Sequence, residues 1–304
     1  MDYDLILIRY GELSLKSRYV RNQFELTLVR NIKNAFKSNN LKCEISRERG
    51  RIYLYTNETL KGLDVLKRVF GITSFSPTVK TTSDINQIAS LAIKISQEIL
   101  NKEKSFAIRV TRTGNHDFSS QDVAVKIGNA IVKATKATVN LTKPDFELFI
   151  EIRNDNAFLF TEKIRGTGGL PFGTQGKTLA LIDSSQSILA AWYIMRRGCK
   201  ILFVNTGKSN TDTLNSFITN WHVDSDIRIV DAKGTKLYET LNKIACEKTC
   251  DAIVTGHVLY DNPQYELSDI KLLKRLTKLP ILHPLIAMEE GEIHKKCKEI
   301  EIQT

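Results

Sequence analysis

The segment LIDSSQSILAAWYIMRRG, residues 181–198, places a polar turn between an apolar strand and a helix. Nucleotide-binding proteins often hold phosphate at such a turn, because backbone N–H groups at a helix start point towards the anion. Glycine usually dominates these turns, since it lets the backbone approach the phosphate closely. Here the turn is Asp183-Ser184-Ser185-Gln186-Ser187, without glycine. Either it is an altered phosphate loop, or its serines simply cap the helix.

Alternating strands and helices surround this turn. We predict strands at 179–182, 200–204, 226–230 and 252–255, and helices around 187–197, 211–221, 235–249 and 267–276. Such alternation is typical of a doubly wound parallel sheet, which binds ligands at the carboxyl ends of its strands. We therefore expect the Asp183–Ser187 turn and Thr255-Gly256-His257 to meet at that edge.

The N-terminal half predicts two α+β units. The first has a strand at 4–9, a helix at 21–36 and a strand at 51–56; the second has strands at 105–112, 146–153 and 157–161, and helices starting at Asp84 and Ser120. Five glycines and a proline at 165–177 break regular structure, and favour a linker over a phosphate cradle. We therefore divide the chain into domains at 1–72, 73–164 and 178–304, with a glycine-rich linker at 165–177.

Positive charge is concentrated in the first part of the chain. Residues 1–173 contain 27 Lys and Arg against 18 Asp and Glu, whereas residues 174–304 contain 17 against 16. A basic half joined to a nearly neutral half predicts that one part grips a polyanion. The alternative is a charge that serves only solubility.

Composition predicts a cytoplasmic protein. Acidic residues precede the first short apolar run, unlike a signal peptide, and no apolar stretch approaches the roughly 20 residues that span a membrane. The five cysteines are scattered and lack metal-ligand spacing, so we predict neither a disulfide framework nor a metal site.

Several stretches along the chain form one recognisable pattern. They are RYGELSLK at 9–16, FAIRV at 106–110, Pro144-Asp145, Glu151-Ile-Arg153, GGLPFG at 168–173 with Gly176-Lys177, AAWYIMRRG at 190–198, Thr255-Gly256, and LPILHPLI at 279–286. Together they resemble the tRNA 4-thiouridine synthetase (tRNA sulfurtransferase) family. The resemblance implies a ferredoxin-like domain, a THUMP RNA-binding domain and a PP-loop ATP-pyrophosphatase domain, in that order.

The resemblance also implies a reaction. In this family ATP activates a uridine carbonyl of tRNA, and sulfur from a cysteine persulfide then replaces the oxygen. The family's ATP motif, Ser-Gly-Gly-x-Asp-Ser, falls on residues 182–187. It implies nucleotide-binding roles for Ser184, Ser185, Ser187, Gly256 and Gln264.

The turn departs from that motif. Both glycines are missing, Gln186 stands at the family's Asp position, and Asp183 would set a carboxylate against a phosphate. The persulfide cysteine of the family is expected beyond Thr304. Cys297 is the nearest thiol, and the positive charge of its lysine-rich helix favours a lowered thiol pKa. Its position does not match that of the family's cysteine, so we expect no catalytic role for it. ATP and Mg²⁺ are the cofactors that the family implies, but this turn argues against both.

RNA binding is predicted from the basic residues on the matching N-terminal scaffold, because Lys and Arg contact phosphates and His stacks on bases. The candidates are Lys16, Arg18, Arg21, Arg109, Arg112, His116, Lys126 and Arg165.

Three hypotheses follow. We favour a tRNA-binding protein that acts in thiolation as a binder or partner, with an impaired ATP and persulfide site. The alternative is an active ATP-dependent sulfurtransferase that takes sulfur from another protein or from sulfide. A protein-interaction scaffold without RNA is the third. The sequence predicts neither the oligomeric state nor the tRNA species.

Overall fold

The computed structural model describes residues 2–11, 17–48, 50–207 and 211–302. Its chain forms two compact units, each assembled from separated segments. The first unit comprises Met1–Arg9, Leu41–Asp64 and Ser74–Arg165; the second comprises Tyr10–Asn40, Val65–Thr73 and Gly166–Thr304. The predicted boundaries at 72, 164 and 177 stay predictions.

The first elements follow a ferredoxin-like order, β-α-β-β-α-β. They are β1 (Leu5–Tyr10), α1 (Arg18–Ser38), β2 (Glu44–Glu48), β3 (Arg51–Tyr55), α2 (Thr59–Leu66) and β4 (Ile72–Thr82). Strand β3 pairs antiparallel with both β1 and β2.

The next elements add a second α+β layer. They are α3 (Ile85–Gln97), β5 (Ser105–Thr113), α4 (Ser120–Thr135), β6 (Thr138–Val139), β7 (Phe146–Arg153), β8 (Asn156–Phe160) and β9 (Ile164–Arg165). Asp84 caps α3 as predicted, since its Oδ1 accepts hydrogen bonds from the N–H groups of Asn86 and Gln87. Within the described residues, nine strands join one sheet in the order β2-β3-β1-β4-β8-β7-β5-β6, with β9 paired to β4.

The C-terminal part is a parallel α/β fold, as predicted. Its elements are β10 (Gln175–Ile182), α5 (Ser185–Arg196), β11 (Cys199–Asn205), α6 (Thr211–Asn220), β12 (Ile227–Ile229), α7 (Gly234–Glu247), β13 (Ala252–Val254), α8 (Pro263–Leu276), β14 (Ile281–Leu282) and α9 (Glu290–Glu299). Its strands pair in parallel in the order β12-β11-β10-β13-β14.

Both faces of this parallel sheet are buried. Ala180 and Ile182 of β10 belong to the core on the α5 side, whereas Leu179 and Leu181 pack with residues of α7 and α8. Because successive side chains of a strand point to opposite faces, one apolar run fills two cores. The second half of β10, residues 179–182, is therefore continuously hydrophobic.

The glycine-rich segment is bound to its neighbours rather than loose. Gly168 donates to the carbonyl of Ile72, and Leu170 donates to the carbonyl of Arg196. At Gly169, which has φ +73°, a Cβ would lie 2.1 Å from the carbonyl oxygen of Arg196. The predicted linker also carries short strand pairing at both ends, since Arg165 ends β9 and Gln175 begins β10. Among the described residues, no helix is long and apolar enough to cross a membrane.

His222 connects the turn after α6 to the end of α1 within the second unit. Its Nδ1 lies 3.4 Å from Ser38 Oγ and 3.3 Å from Asn39 Nδ2. Burial lowers its pKa to about 4, and the charge of Arg68 acts in the same direction. The imidazole is therefore neutral in the folded protein near pH 7.

We expect His222 to make the fold sensitive to acid. Since its folded pKa lies below the ordinary value of 6.5, its contribution to stability is present above pH 6.5 and is lost as pH falls towards 4. His222→Asn is a suitable variant, because asparagine tolerates the left-handed φ of +53° at this position and its side chain does not titrate. The stability advantage of the wild type over this variant should shrink by about 2 kcal/mol between pH 6.5 and 4. Urea unfolding at several pH values measures it, and an advantage independent of pH would contradict the assignment.

Candidate functional site

A cavity of about 430 Å³ opens in the second unit at the carboxyl ends of the parallel strands. Chain order runs from β10 outwards through β11 and β12, and then returns to β13 on the other side of β10. Such a switch in strand order leaves a crevice, because the flanking loops turn in opposite directions. The cavity lining is Asp183, Ser184, Gln186, Thr206, Ala232, Lys233, Gly234, Leu237, Tyr238, Gly256, His257, Tyr265, Glu266 and Asp269.

The start of α5 is capped by its own serines. Ser187 N–H donates to Ser184 Oγ at 3.4 Å, and Ser187 Oγ accepts from the N–H groups of Asp183 and Ser184, both at 3.2 Å. The Ser187 hydroxyl donates to the Ser184 carbonyl at 2.6 Å. Three backbone N–H groups of this turn are thus bonded to serine hydroxyls, which is the capping interpretation of the sequence.

The turn is also held against the loop after β13. A Cβ at Gly256 would lie 2.8 Å from Ser187 Cα, so this contact admits only glycine without a shift of the backbone. Gln186 Nε2 donates to the Gly256 carbonyl at 3.4 Å. Tyr260 donates to Gln186 Oε1 at 3.3 Å. Gln186, at the family's Asp position, therefore forms part of the cavity wall.

Three carboxylates line the cavity. Asp183 is an exposed residue, but the neighbouring cavity walls displace part of the water around its carboxyl group. This desolvation raises the pKa of Asp183. Desolvation also raises the pKa of Glu266, against the opposing effect of His257. For Asp269, desolvation is outweighed by hydrogen bonds from His257 and Tyr238, so its pKa is lowered. The cavity is consequently more favourable to cations than to anions near these groups.

A polar network fixes the imidazole of the cavity. His257 Nε2 lies 3.0 Å from Asp269 Oδ2 and 4.0 Å from Glu266 Oε2. The hydroxyl of Tyr238 donates to the same Asp269 oxygen, and it is held protonated because burial and this bond raise its pKa. Residues from α7, α8 and the loop after β13 thus meet on one carboxylate. This group was not predicted from the sequence, where its only local signal was the position of His257 after a predicted strand.

The start of α7 also faces the cavity. Lys233 occupies its N-cap position without a side-chain cap hydrogen bond, and Lys233 and Gly234 both line the cavity. Free N–H groups at a helix start carry partial positive charge. This wall therefore opposes the acidic wall formed by α8.

The predicted nucleotide residues are only partly brought together. Ser184 and Gly256 line the cavity, and Ser187 is buried beneath it. Ser185 is the first residue of α5, outside the lining. Gln264 is exposed in the first turn of α8, also outside it.

The predicted RNA-binding residues are distributed over both units. In the second unit, Arg18 is exposed at the start of α1, and Arg21 lies 4.0 Å from Glu25; Lys16 lies outside the described residues. In the first unit, exposed side chains include Lys126 on α4 and Arg165 at the end of β9.

Two of these arginines lie on opposite faces of the sheet. Arg109 and Arg112 are three apart on β5, and successive side chains alternate between faces. Arg109 Nε donates to Glu147 at 2.8 Å. Arg112 lies 3.2 Å from His116, whose ring stands 5.1 Å from that of Phe118. Arg109 and Arg112 therefore do not share one binding surface of the sheet.

The first unit contains a cation cluster that was not predicted from the sequence. Glu151, which is 4% exposed, accepts hydrogen bonds from Arg51 at 2.6 Å, Arg153 at 3.4 Å and Arg9 at 3.5 Å. One buried carboxylate thus contacts three guanidinium groups, and Glu48, 3.7 Å from Arg153, is a second carboxylate of the cluster, so that one positive charge remains in excess. The alternating polar residues 147, 151 and 153 of β7 were the available signal.

Aromatic rings support the same cluster. The Arg9 guanidinium lies 4.6 Å from the ring centroid of Phe160, and Lys163 Nζ lies 4.2 Å from that of Phe149. Partial desolvation lowers the pKa of Lys163, and the charge of Arg9 lowers it further. Cations stacked on rings next to a cationic excess favour anionic partners.

The lysine-rich helix does not lower the pKa of Cys297. Its side chain is fully buried in the core beside α5, and burial raises its thiol pKa to about 11. Lys295 and Lys298 are exposed, where water screens their charge, and Lys296 lies over the ring of Trp192. This thiol is therefore a core residue with little thiolate near pH 7.

Comparison with known proteins gives consistent matches along the chain. Family models match the ThiI ferredoxin-like domain at residues 5–76, the THUMP domain at 82–162 and thiamine biosynthesis protein (ThiI) at 211–304. A probable tRNA sulfurtransferase of Methanobrevibacter smithii is 33% identical, with 99% of this chain and 87% of the relative covered. This chain belongs to the tRNA sulfurtransferase family. A further member, from Methanocaldococcus jannaschii, is 34% identical over 97% of this chain and 87% of its own length.

Solved structures share the fold of this tRNA sulfurtransferase family member. PH1313 from Pyrococcus horikoshii has a TM-score of 0.84 at 27% identity, covering 98% of this chain and 99% of that one. A 4-thiouridine synthetase, solved with RNA and bound ATP, has a TM-score of 0.82 at 24% identity, covering 98% and 85%. The predicted ferredoxin-like, THUMP and parallel α/β architecture is confirmed. The ThiI match starts at residue 211, so the Asp183–Ser187 turn lies outside the matched ranges.

Proposed function

We propose that this chain binds tRNA and acts in tRNA thiolation as a binder or partner, without the ATP chemistry of an active sulfurtransferase. The family relatives are named for a reaction on tRNA, and the matching synthetase was solved with RNA and ATP. The cationic excess of the first unit supports a polyanionic partner. A partner protein would then supply activation and sulfur.

The reciprocal capping of Ser184 and Ser187 carries the proposal. A phosphate at the start of α5 would have to displace serine hydroxyls from three backbone N–H groups, and each displaced bond has to be replaced. It would also approach the carboxylate of Asp183, and like charges at short range repel. The residues present therefore do not fit the pyrophosphate of ATP at this turn.

An active sulfurtransferase is the second candidate, and the start of α7 favours it. Lys233 and an uncapped helix start face a cavity of ligand size, where phosphate would find positive charge away from α5. ATP would then bind in another orientation than at a glycine-rich loop.

A coupled assay separates the two candidates. The purified protein is incubated with unmodified tRNA, ATP, Mg²⁺ and sulfide, and pyrophosphate release and 4-thiouridine are measured beside tRNA binding. An active relative serves as the positive control. We expect tRNA binding with pyrophosphate at the level seen without enzyme. Pyrophosphate release matching thiolated tRNA would establish the sulfurtransferase instead, and absence of tRNA binding would refute both.

A further inference from the structure

A continuous line of hydrogen-bonding groups leads from the cavity wall to His283. Asp269 Oδ2 lies 3.0 Å from His257 Nε2, and His257 Nδ1 lies 2.6 Å from Thr255 Oγ1. Thr255 Oγ1 lies 2.7 Å from His283 Nδ1. The line thus joins one carboxylate, two imidazoles and one hydroxyl.

The parallel strands hold the middle of this line in register. Val254 at the end of β13 pairs with Leu282 at the end of β14, and Thr255 N–H donates to the Leu282 carbonyl at 3.1 Å. Thr255 and His283 are therefore the next residues on adjacent strands. Thr255 is 1% exposed, so water does not compete for its hydroxyl. The two imidazole rings stand nearly perpendicular, with centroids 5.2 Å apart.

The single hydroxyl proton of Thr255 couples the protonation of Nδ1 in the two imidazole rings. A threonine hydroxyl has one proton to donate, and an imidazole nitrogen donates only when it carries a proton. Two Nδ1 atoms share this hydroxyl, so when it donates to one ring, the other ring must donate to it. At any moment, one of the two histidines therefore accepts a hydrogen bond from Thr255 at Nδ1 while the other donates one from Nδ1.

Two arrangements satisfy every bond. With both rings neutral, His257 donates from Nε2 to Asp269, Thr255 donates to His257 Nδ1, and His283 donates from Nδ1 to Thr255. With one added proton, His283 carries it on Nε2, its Nδ1 proton moves to Thr255 Oγ1, and the former hydroxyl proton moves to His257 Nδ1. One proton enters, no electrons transfer, and the positive charge ends on His257.

We propose that His283, Thr255, His257 and Asp269 form a proton relay that delivers a proton from the partly exposed ring of His283 to the cavity. The imidazole that receives it is 10% exposed and lines the cavity. Its new Nδ1 proton remains bonded to Thr255 Oγ1, and its Nε2 proton passes to the carboxylate of Asp269, which also lines the cavity. The relay gives this cavity an acid–base function. It does not depend on ATP binding and stands apart from the proposed function.

The charges around the relay favour this direction of transfer. His257 faces Asp269 and Glu266 of α8, Tyr238 of α7 and Asp183 after β10, whereas Lys233 lies on the opposing wall. The acidic side chains therefore lie at the His257 end of the relay, where the positive charge arrives. His283, in contrast, has a pKa lowered to about 4 by burial and by His257, so its ring passes the proton on rather than retaining it.

Nitrogen NMR of the imidazoles tests the relay in the whole protein. The chain has five histidines, so single His→Gln substitutions assign the signals. In the wild type we expect the Nδ1 signal of His283 to change from protonated to unprotonated with the same pH midpoint as the charging of His257. A His283 that keeps one tautomer throughout that titration would overturn the proposal.

Thr255 variants provide a matched comparison. Thr255→Ser keeps the hydroxyl and should retain coincident midpoints. Thr255→Val keeps the shape of the side chain but removes the hydroxyl. The pH midpoint of the His283 Nδ1 signal should then differ from the midpoint of His257 charging by at least about one pH unit. Histidines that titrate in the valine variant as in the wild type would refute the relay. The wild-type measurement decides the question even where the valine variant does not fold.

Discussion

Raising the salt concentration from about 50 to about 200 mM is expected to weaken tRNA binding about 100-fold, if about four phosphates are contacted. The physical reason is the release of counterions when Lys and Arg neutralise phosphates. Gel-shift or fluorescence titrations at several KCl concentrations give the slope of the logarithm of affinity against that of salt. Salt-independent tRNA binding would contradict a phosphate grip.

Removing positive charges shows which surface contacts the tRNA phosphates. Lys126→Gln combined with Arg165→Gln removes two exposed cations of the first unit, at positions predicted to bind RNA. We expect the slope to fall by about two and the affinity at about 100 mM salt to fall about tenfold. Lys271→Gln with Lys274→Gln, which removes the same charge from exposed positions of α8, is the matched control. Equal losses in both pairs would show that net charge, and not a surface of the first unit, governs binding.

ATP with Mg²⁺ is expected to bind the wild type more weakly than about 1 mM, equivalent to about 4 kcal/mol of binding free energy. The serine cap and the Asp183 carboxylate together oppose a phosphate at α5. Calorimetry on the tRNA-bound protein measures this affinity. Micromolar binding by the wild type would mean that phosphate is held elsewhere, with the start of α7 as the first place to examine.

A double variant tests the cause. Asp183→Asn with Ser184→Gly removes the charge and frees the Ser187 N–H from its bond to the Ser184 hydroxyl, and replacing an N-cap serine by glycine costs only a few tenths of a kcal/mol of stability. We expect this variant to bind ATP at least about tenfold more tightly than the wild type, because like-charge repulsion is removed and one of the three capped N–H groups becomes available to phosphate. Glu239→Gln, an equal change of charge on an exposed part of α7 outside the cavity lining, should have no such effect. An unchanged affinity in the double variant would place the obstruction elsewhere.

Sequence patterns predicted the elements whose signals are local. The alternation of strands and helices after residue 178 gave the parallel sheet, and Asp84 identified the start of α3. Strand β4 was missed because Ser, Thr and Pro77 dominate it, and proline usually argues against a strand. Its strand character depends on pairing with distant β8 and β9, which no local window contains.

The candidate site shows the same division. The turn at Asp183 and the loop at Gly256 were placed at one edge by fold logic alone. The partners of His257 were not predicted, since Tyr238 and Asp269 come from two different helices and meet it only through the packing of α7 and α8. Likewise, the lysines around Cys297 favoured a lowered thiol pKa, whereas burial, which no local window shows, raises it.

The interleaved segments of the two units impose an order on biosynthesis. The first unit has all of its segments once Arg165 has left the ribosome, but the second needs residues after Gly166 to complete the unit that contains α1. Within that unit α1 contacts Leu170, Phe172 and His222, which are translated well over a hundred residues later. The nascent chain must therefore carry α1 without these partners while much of the protein is made. Nascent chains released before that point would expose apolar surface of α1, which makes them substrates for chaperones and prone to aggregation.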